Sequence, residues 1–152
     1  MKILGVTVLL VVSASILLLQ TLGRTTPPRM KSKMQTLSIL QAATVWAIGR
    51  DYEFPSEATW VGDLIDAGLL YEEPTTSYGA DVEPVYYYMR PTPAQYQAML
   101  DTGGSEIVVV YEHAELWRGD GGHVGYLDGR VEWIDGSAYR RLVESLLEGG
   151  GG

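Results

Sequence analysis

The chain has 152 residues, a one-domain length, and its 11 Lys and Arg against 19 Asp and Glu leave a formal net charge of −8. A chain of that charge repels phosphate backbones, which argues against nucleic acid as a partner. With no cysteine there are no disulfides, thiolate zinc sites or cysteine nucleophiles, and two histidines, His113 and His123, are too few for a His-rich metal site.

The segment Ile3 to Leu22 is apolar and uncharged, and it is close to the roughly 20 residues an α-helix needs to cross a hydrocarbon core. It has no polar face, unlike a buried core helix. Residues 1–25 are therefore expected to be a transmembrane anchor. A cleavable signal peptide is the weaker reading, because the apolar run is long and no Ala-x-Ala cut site follows it. Lys2 stands on one side of the segment, and Arg24, Arg29, Lys31 and Lys33 stand on the other. Taken alone, that balance places the C-terminus in the cytoplasm.

Residues 26–148 read as one α+β domain. Pro27 and Pro28 break the chain after the membrane segment. A helix from about Arg29 to Arg50 follows, with a core-facing stripe of Met34, Leu37, Leu40 (or Gln41), Thr44 and Ile48. Asp51 to Pro55 is a turn. Trp60 to Leu70 is a short helix closed by Gly68, and Tyr71 to Glu83 is a loop. Pro84 to Met89 is a short strand, and Pro91 to Thr102 is either one or two helical turns or an ordered loop. At least one of Tyr86, Tyr87 and Tyr88 is expected to be exposed. With Trp117 and Trp133 these tyrosines could form an aromatic face for a protein or glycan, although ordinary sheet packing explains them better.

Ser105 to His113 is the best strand by β-branched content and is expected to be central. Gly119 to Gly122 reads as a loop. The strings His123 to Leu127 and Arg130 to Ile134 flank Asp128-Gly129, which predicts a hairpin with a two-residue type I′ turn. In that register Tyr126 faces Val131 and Val124 faces Trp133, all four on the core side. Ser137 to Glu148 is an amphipathic helix with Ser137 as its N-cap and Leu142, Val143, Leu146 and Leu147 apolar. Gly149 to Gly152 is expected to be a disordered tail.

No catalytic or cofactor-binding set stands out. Asp120, Asp128 and Glu132, with Glu112 as a further oxygen donor, are the weak candidates for a Ca²⁺ site. A turn role for Asp128 and an outward-facing position for Glu132 explain those residues better. Glu112 and His113 are adjacent on a strand and point to opposite faces, so they do not form an acid–base pair.

Three regions resemble the type IV pilins and type II secretion pseudopilins, in particular the prepilin-type proteins with a C-terminal H-X9-DG motif. Gly5-Val6-Thr7-Val8-Leu9-Leu10-Val11-Val12 resembles the start of the pilin apolar helix, Gly-Phe-Thr-Leu-Ile-Glu-Leu-Leu-Val-Val, with the Ile-Glu pair missing. Leu37 to Pro55 is similar to the family's exit from the spine helix, with Leu40, Ala43, Trp46 and Tyr52 in comparable places. The third region, Val110-Tyr111-Glu112 followed by Gly121-Gly122-His123-Val124-Gly125-Tyr126-Leu127-Asp128-Gly129-Arg130-Val131-Glu132-Trp133, resembles the C-terminal hairpin and is the most specific of the three. The family histidine falls at Arg118 and is absent. His123 takes the usual asparagine place, and Arg130 takes the usual second histidine place.

The resemblance implies a pilin-like fold and a non-enzymatic structural or assembly role in a type II secretion or pilus-like system. It implies a bacterial inner-membrane location through residues 3–22, with the soluble domain outside the cytoplasm and other pilins or pseudopilins as partners. It makes Gly5 the prepilin peptidase cleavage point, and it raises the calcium idea, since some pseudopilins bind Ca²⁺ in C-terminal loops. The missing Ile-Glu pair keeps a second reading open, a membrane-tethered extracytoplasmic binding module that does not enter a filament.

Overall fold

The computed structural model describes residues 27–74 and 79–149. It shows an α+β domain of four helices and one four-stranded antiparallel sheet. The expected anchor and Gly5 lie outside the described residues, as does the glycine tail beyond Gly149. Among the described residues no helix is long and apolar enough to cross a membrane.

Helix α1 spans Pro28–Ile48 and opens with a proline in its first turn, where the missing N–H costs no hydrogen bond. Its buried face is Ser32, Thr36, Ile39, Leu40, Ala42, Ala43 and Ala47. The predicted stripe is corrected by about one position, and Ile48 is exposed. Small residues let the helix lie close to the sheet. Gly125 sits directly beneath it, where a Cβ would approach Thr36 and Leu40 to 3.5 Å.

Helix α2, Trp60–Asp66, ends ahead of Gly68, whose φ of 69° suits a left-handed residue. Strand β1 is Tyr86–Tyr88. Pro93–Thr102 is helix α3, settling the open choice there. Thr92 and Gln95 close a reciprocal capping box at its start, and Gly103 caps its end in the left-handed conformation.

Strands β2 (Val108–Glu112), β3 (Gly121–Tyr126) and β4 (Val131–Asp135) complete the sheet in the order β1-β2-β3-β4. Strand β2 is central, as expected. A bulge between Val108 and Val110 turns Val109 and Val110 toward the α1 side. Gly121 and Gly122 are part of β3, not of a loop. A Cβ on Gly121 would collide with the Ile134 carbonyl, and one on Gly122 would collide with the Tyr139 ring.

The hairpin register differs from the predicted one by a residue. Gly125 faces Val131, Val124 faces Glu132 and His123 faces Trp133. Leu127 leaves the strand to join the core at 2% exposure, its N–H bonded to the Ile107 carbonyl at 2.9 Å. The loop is therefore Leu127-Asp128-Gly129, with Gly129 at φ 90° and the Tyr126 N–H donating to the Arg130 carbonyl. A one-residue slip exchanges faces. Val124 and Tyr126 look toward the last helix, while Val131 lies on the α1 side.

Helix α4, Gly136–Gly149, starts directly from β4, so Ser137 lies inside it and is not its cap. It buries Tyr139 and Val143 on the sheet face opposite α1, together with Val108, Tyr111, Val124 and Tyr126. Leu142 and Leu146 are partly buried there, and Leu147 is exposed. The α1 side holds the larger core, which runs from Ile39, Leu40 and Ala43 through Val109 and Val110 to Phe54, Trp60, Tyr88 and Tyr96.

Candidate functional site

The chemistry-bearing side chains converge on one carboxylate. Glu112 ends β2 on the α1 side and is fully buried. Burying a carboxylate is costly unless donors surround it. Here the Ser32 hydroxyl on α1 donates to Oε1, the Trp117 indole N–H donates to Oε2 at 2.8 Å, and the His123 backbone N–H donates to Oε2 at 2.7 Å. The His123 ring stands close as well, with Nδ1 3.4 Å from Oε2. On the opposite face, the Tyr139 hydroxyl donates to the Glu112 backbone carbonyl at 2.5 Å. One residue thus ties together α1, β3, α4 and the loop after β2.

The hydroxyl proton of Ser32 is committed to Glu112. The 2.8 Å contact between Ser32 Oγ and His123 Nδ1 is therefore a bond donated by the imidazole, which assigns the ring proton to Nδ1. A serine, a histidine and a glutamate in contact invite comparison with a nucleophile relay. In such a relay the serine and the acid engage opposite nitrogens of the imidazole. Here both meet Nδ1, Ser32 is wholly buried and His123 is 3% exposed. The geometry is that of a satisfied buried network that fixes α1 to the sheet.

Aromatic rings close its rim. Trp133 meets the His123 ring edge-on with centroids 5.0 Å apart, and it packs against Trp117 at 5.7 Å. The Arg29 guanidinium lies 4.1 Å above Trp133 and 3.6 Å from Asp120. Tyr86 and Tyr88 are buried on the α1 side. Tyr87, on the other face, stacks on Tyr111 at 5.1 Å and on His113 at 5.8 Å. Tyr87 is half-buried, so none of the three tyrosines is exposed, which corrects the expectation that one would be. Tyr86 and Tyr88 share the α1 side of the sheet with Trp133, but they are buried, so no exposed aromatic face forms.

Of the weak calcium candidates, Asp128 and Glu132 converge, but on the Arg130 guanidinium. Asp120 pairs with Arg29. Asp128 accepts from the Ser105 and Arg130 backbone N–H groups, both at 3.1 Å, and Glu132 pairs with Arg130 at 2.8 Å. Among the described residues no group of three or more His, Cys, Asp or Glu is placed to hold a metal ion. Gly129 serves the loop conformation, Gly122 makes room for Tyr139, and Val131 is partly buried in the α1-side core.

Sequence reasoning placed His123, Gly122, Asp128 and Trp133 in one motif and named Trp117 for an aromatic face, but missed Ser32, the bond from Trp117 to Glu112 and the burial of Glu112. The one available signal was Ser32 in the first turns of a helix that covers the sheet. No protein-family model matches the chain, and comparisons with curated proteins and with solved structures found no match.

Proposed function

We propose that this chain is a non-enzymatic, membrane-anchored, pseudopilin-like structural protein, held in the bacterial inner membrane by residues 3–22 with its α+β domain outside the cytoplasm. The observation that carries this reading is the course of α1. It begins at Pro28, a few residues beyond the apolar segment, and packs against the core of the domain from Ser32 to Ala47, as a spine helix does. The Glu112 network adds to it, because Ser32 locks the membrane-proximal end of that helix to the sheet.

The test is co-expression of the tagged full-length chain with prepilin peptidase. Cleavage after Gly5, together with crosslinks to other pilins or to itself, is expected. A chain that stays uncut and recovers no pilin partner overturns the assembly role. The missing Ile-Glu pair in Gly5 to Val12 favours a second reading, a tethered binding module that does not enter a filament. An uncut chain that binds a soluble extracytoplasmic protein or glycan would select it.

A further inference from the structure

A groove of about 460 Å³ lies between α2 and the approach to β1. Its floor is apolar, with Trp60, Val61, Val82 and Val85, and three exposed carboxylates, Glu73, Asp81 and Glu83, stand along it. None of the three forms an ion pair among the described residues, whereas other acids on this surface do, such as Glu53 with Arg90. The opposite pattern lies at the start of α1. Met30 is 48% exposed, and Lys31 and Lys33 beside it are exposed and without an ion pair among the described residues. Met30 and Lys33 are three positions apart on the helix and so share a face.

The charge of the whole chain is segregated in the same sense. Every one of its 19 acidic residues lies at Asp51 or later, and none lies on the N-terminal stretch that carries Lys31 and Lys33. We infer that the groove receives the Met30–Lys33 segment of a second copy of this chain, with the methionine on the apolar floor and the lysines at the carboxylates. This rests on the assembly reading above and names one of its contacts.

Height along the spine is consistent with two copies standing side by side in one bilayer. The groove residue Tyr86 donates its hydroxyl to Gln35 of its own α1 at 3.3 Å, so the groove sits at the level of residue 35. Residues 30–33 of a neighbour are only two to five positions lower, about 3–8 Å at the helical rise, a stagger that two parallel anchors tolerate. The lysine stems lie on apolar surface while the ammonium groups meet the acids. Donor and acceptor surfaces differ, so the contact is head-to-tail in kind and propagates along a row of copies instead of closing a pair.

The chain has no native cysteine, which makes the test direct. Two differently tagged full-length copies are co-expressed in membranes, one carrying Met30→Cys and the other Val82→Cys, and oxidised. A mixed disulfide is expected. It should be lost when the first copy also carries Lys31→Glu and Lys33→Glu, and restored when the second carries Asp81→Lys and Glu83→Lys. A disulfide unaffected by charge reversal overturns the inference. A parallel pair of copies bearing Leu10→Cys reports association through the apolar segment. Leu10 crosslinking without the 30–82 disulfide overturns the groove contact and leaves the assembly reading standing. Loss of both overturns the assembly reading and the inference with it.

Discussion

At the scale of single residues, Glu112 dominates. Truncating it leaves the Ser32, Trp117 and His123 donors without their acceptor in a buried space. Glu112→Ala should therefore cost about 3–5 kcal/mol. Glu112→Gln keeps the shape and part of the bonding and should cost less. Chemical denaturation followed by tryptophan fluorescence reads both, since Trp117 donates to this carboxylate. Equal destabilisation by the two variants would show that the donors do not depend on the carboxylate.

Two buried tyrosines make a contrasting pair. The Tyr88 hydroxyl is buried with no hydrogen-bond partner among the described residues, whereas that of Tyr139 holds the Glu112 carbonyl. Tyr88→Phe should leave stability unchanged or raise it, and Tyr139→Phe should lower it by about 1 kcal/mol. Burial raises the folded-state pKa of both above the ordinary phenol value of 10, most strongly through lost solvation. The folded protein keeps these protons when the unfolded chain has lost them. The stability they contribute is therefore complete below pH 10 and falls as pH rises past it. Thermal melts between pH 9 and 11.5 should show that decline, and it should be shallower in the double Phe variant.

At the scale of elements, glycine positions decide how closely the layers approach. Gly122→Ala forces a methyl against the Tyr139 ring and should cost about 1–3 kcal/mol by overpacking, while Gly104→Ala meets open space and should be near neutral. Urea titration of the two variants compares them directly. At α3, Thr92→Ala removes half of the capping box and should cost about 1 kcal/mol.

The elements that could be read from the sequence are those with strong local signals. The Val108–Val110 run marked the central strand, Asp128-Gly129 marked the hairpin, and the apolar spacing of Leu142, Val143 and Leu146 marked the last helix. The elements that could not be read depend on distant partners. Gly121 and Gly122 have no strand propensity, and their place in β3 follows from Tyr139 and Ile134 pressing on them. The hairpin register turned on Leu127, whose pull into the core comes from Ile107 across the sheet. The burial of Glu112 was hidden for the same reason, since its donors stand at positions 32, 117 and 123. The Thr92–Gln95 box was local and available, but it left the helix undecided because Pro91 and Pro93 suggest an ordered loop equally well.

At the scale of the whole molecule, the proposed anchoring by residues 3–22 leaves the orientation of the domain to two opposed signals. The basic residues after the apolar segment point to the cytoplasm, and the pilin-like resemblance points outward. An alkaline phosphatase fusion at Gly152 should be active and a fusion of a cytoplasmic reporter at the same place silent. The reverse pattern would put the domain in the cytoplasm and remove the pilus-like role.

The position of Ser32 has a mechanical consequence. A force applied through the N-terminal side of α1 enters the domain at the first turns of that helix, where the Ser32 hydroxyl is bonded to Glu112 at the end of the central strand. The load therefore reaches the middle of the sheet at once and spreads through β3 by the His123 backbone and through α4 by Tyr139. A tether attached only at the far end of α1 would peel the helix from the sheet one contact at a time. Attached at Ser32, the helix and sheet resist as one shear-loaded joint, so pulling on the N-terminus should meet its highest resistance at the first rupture.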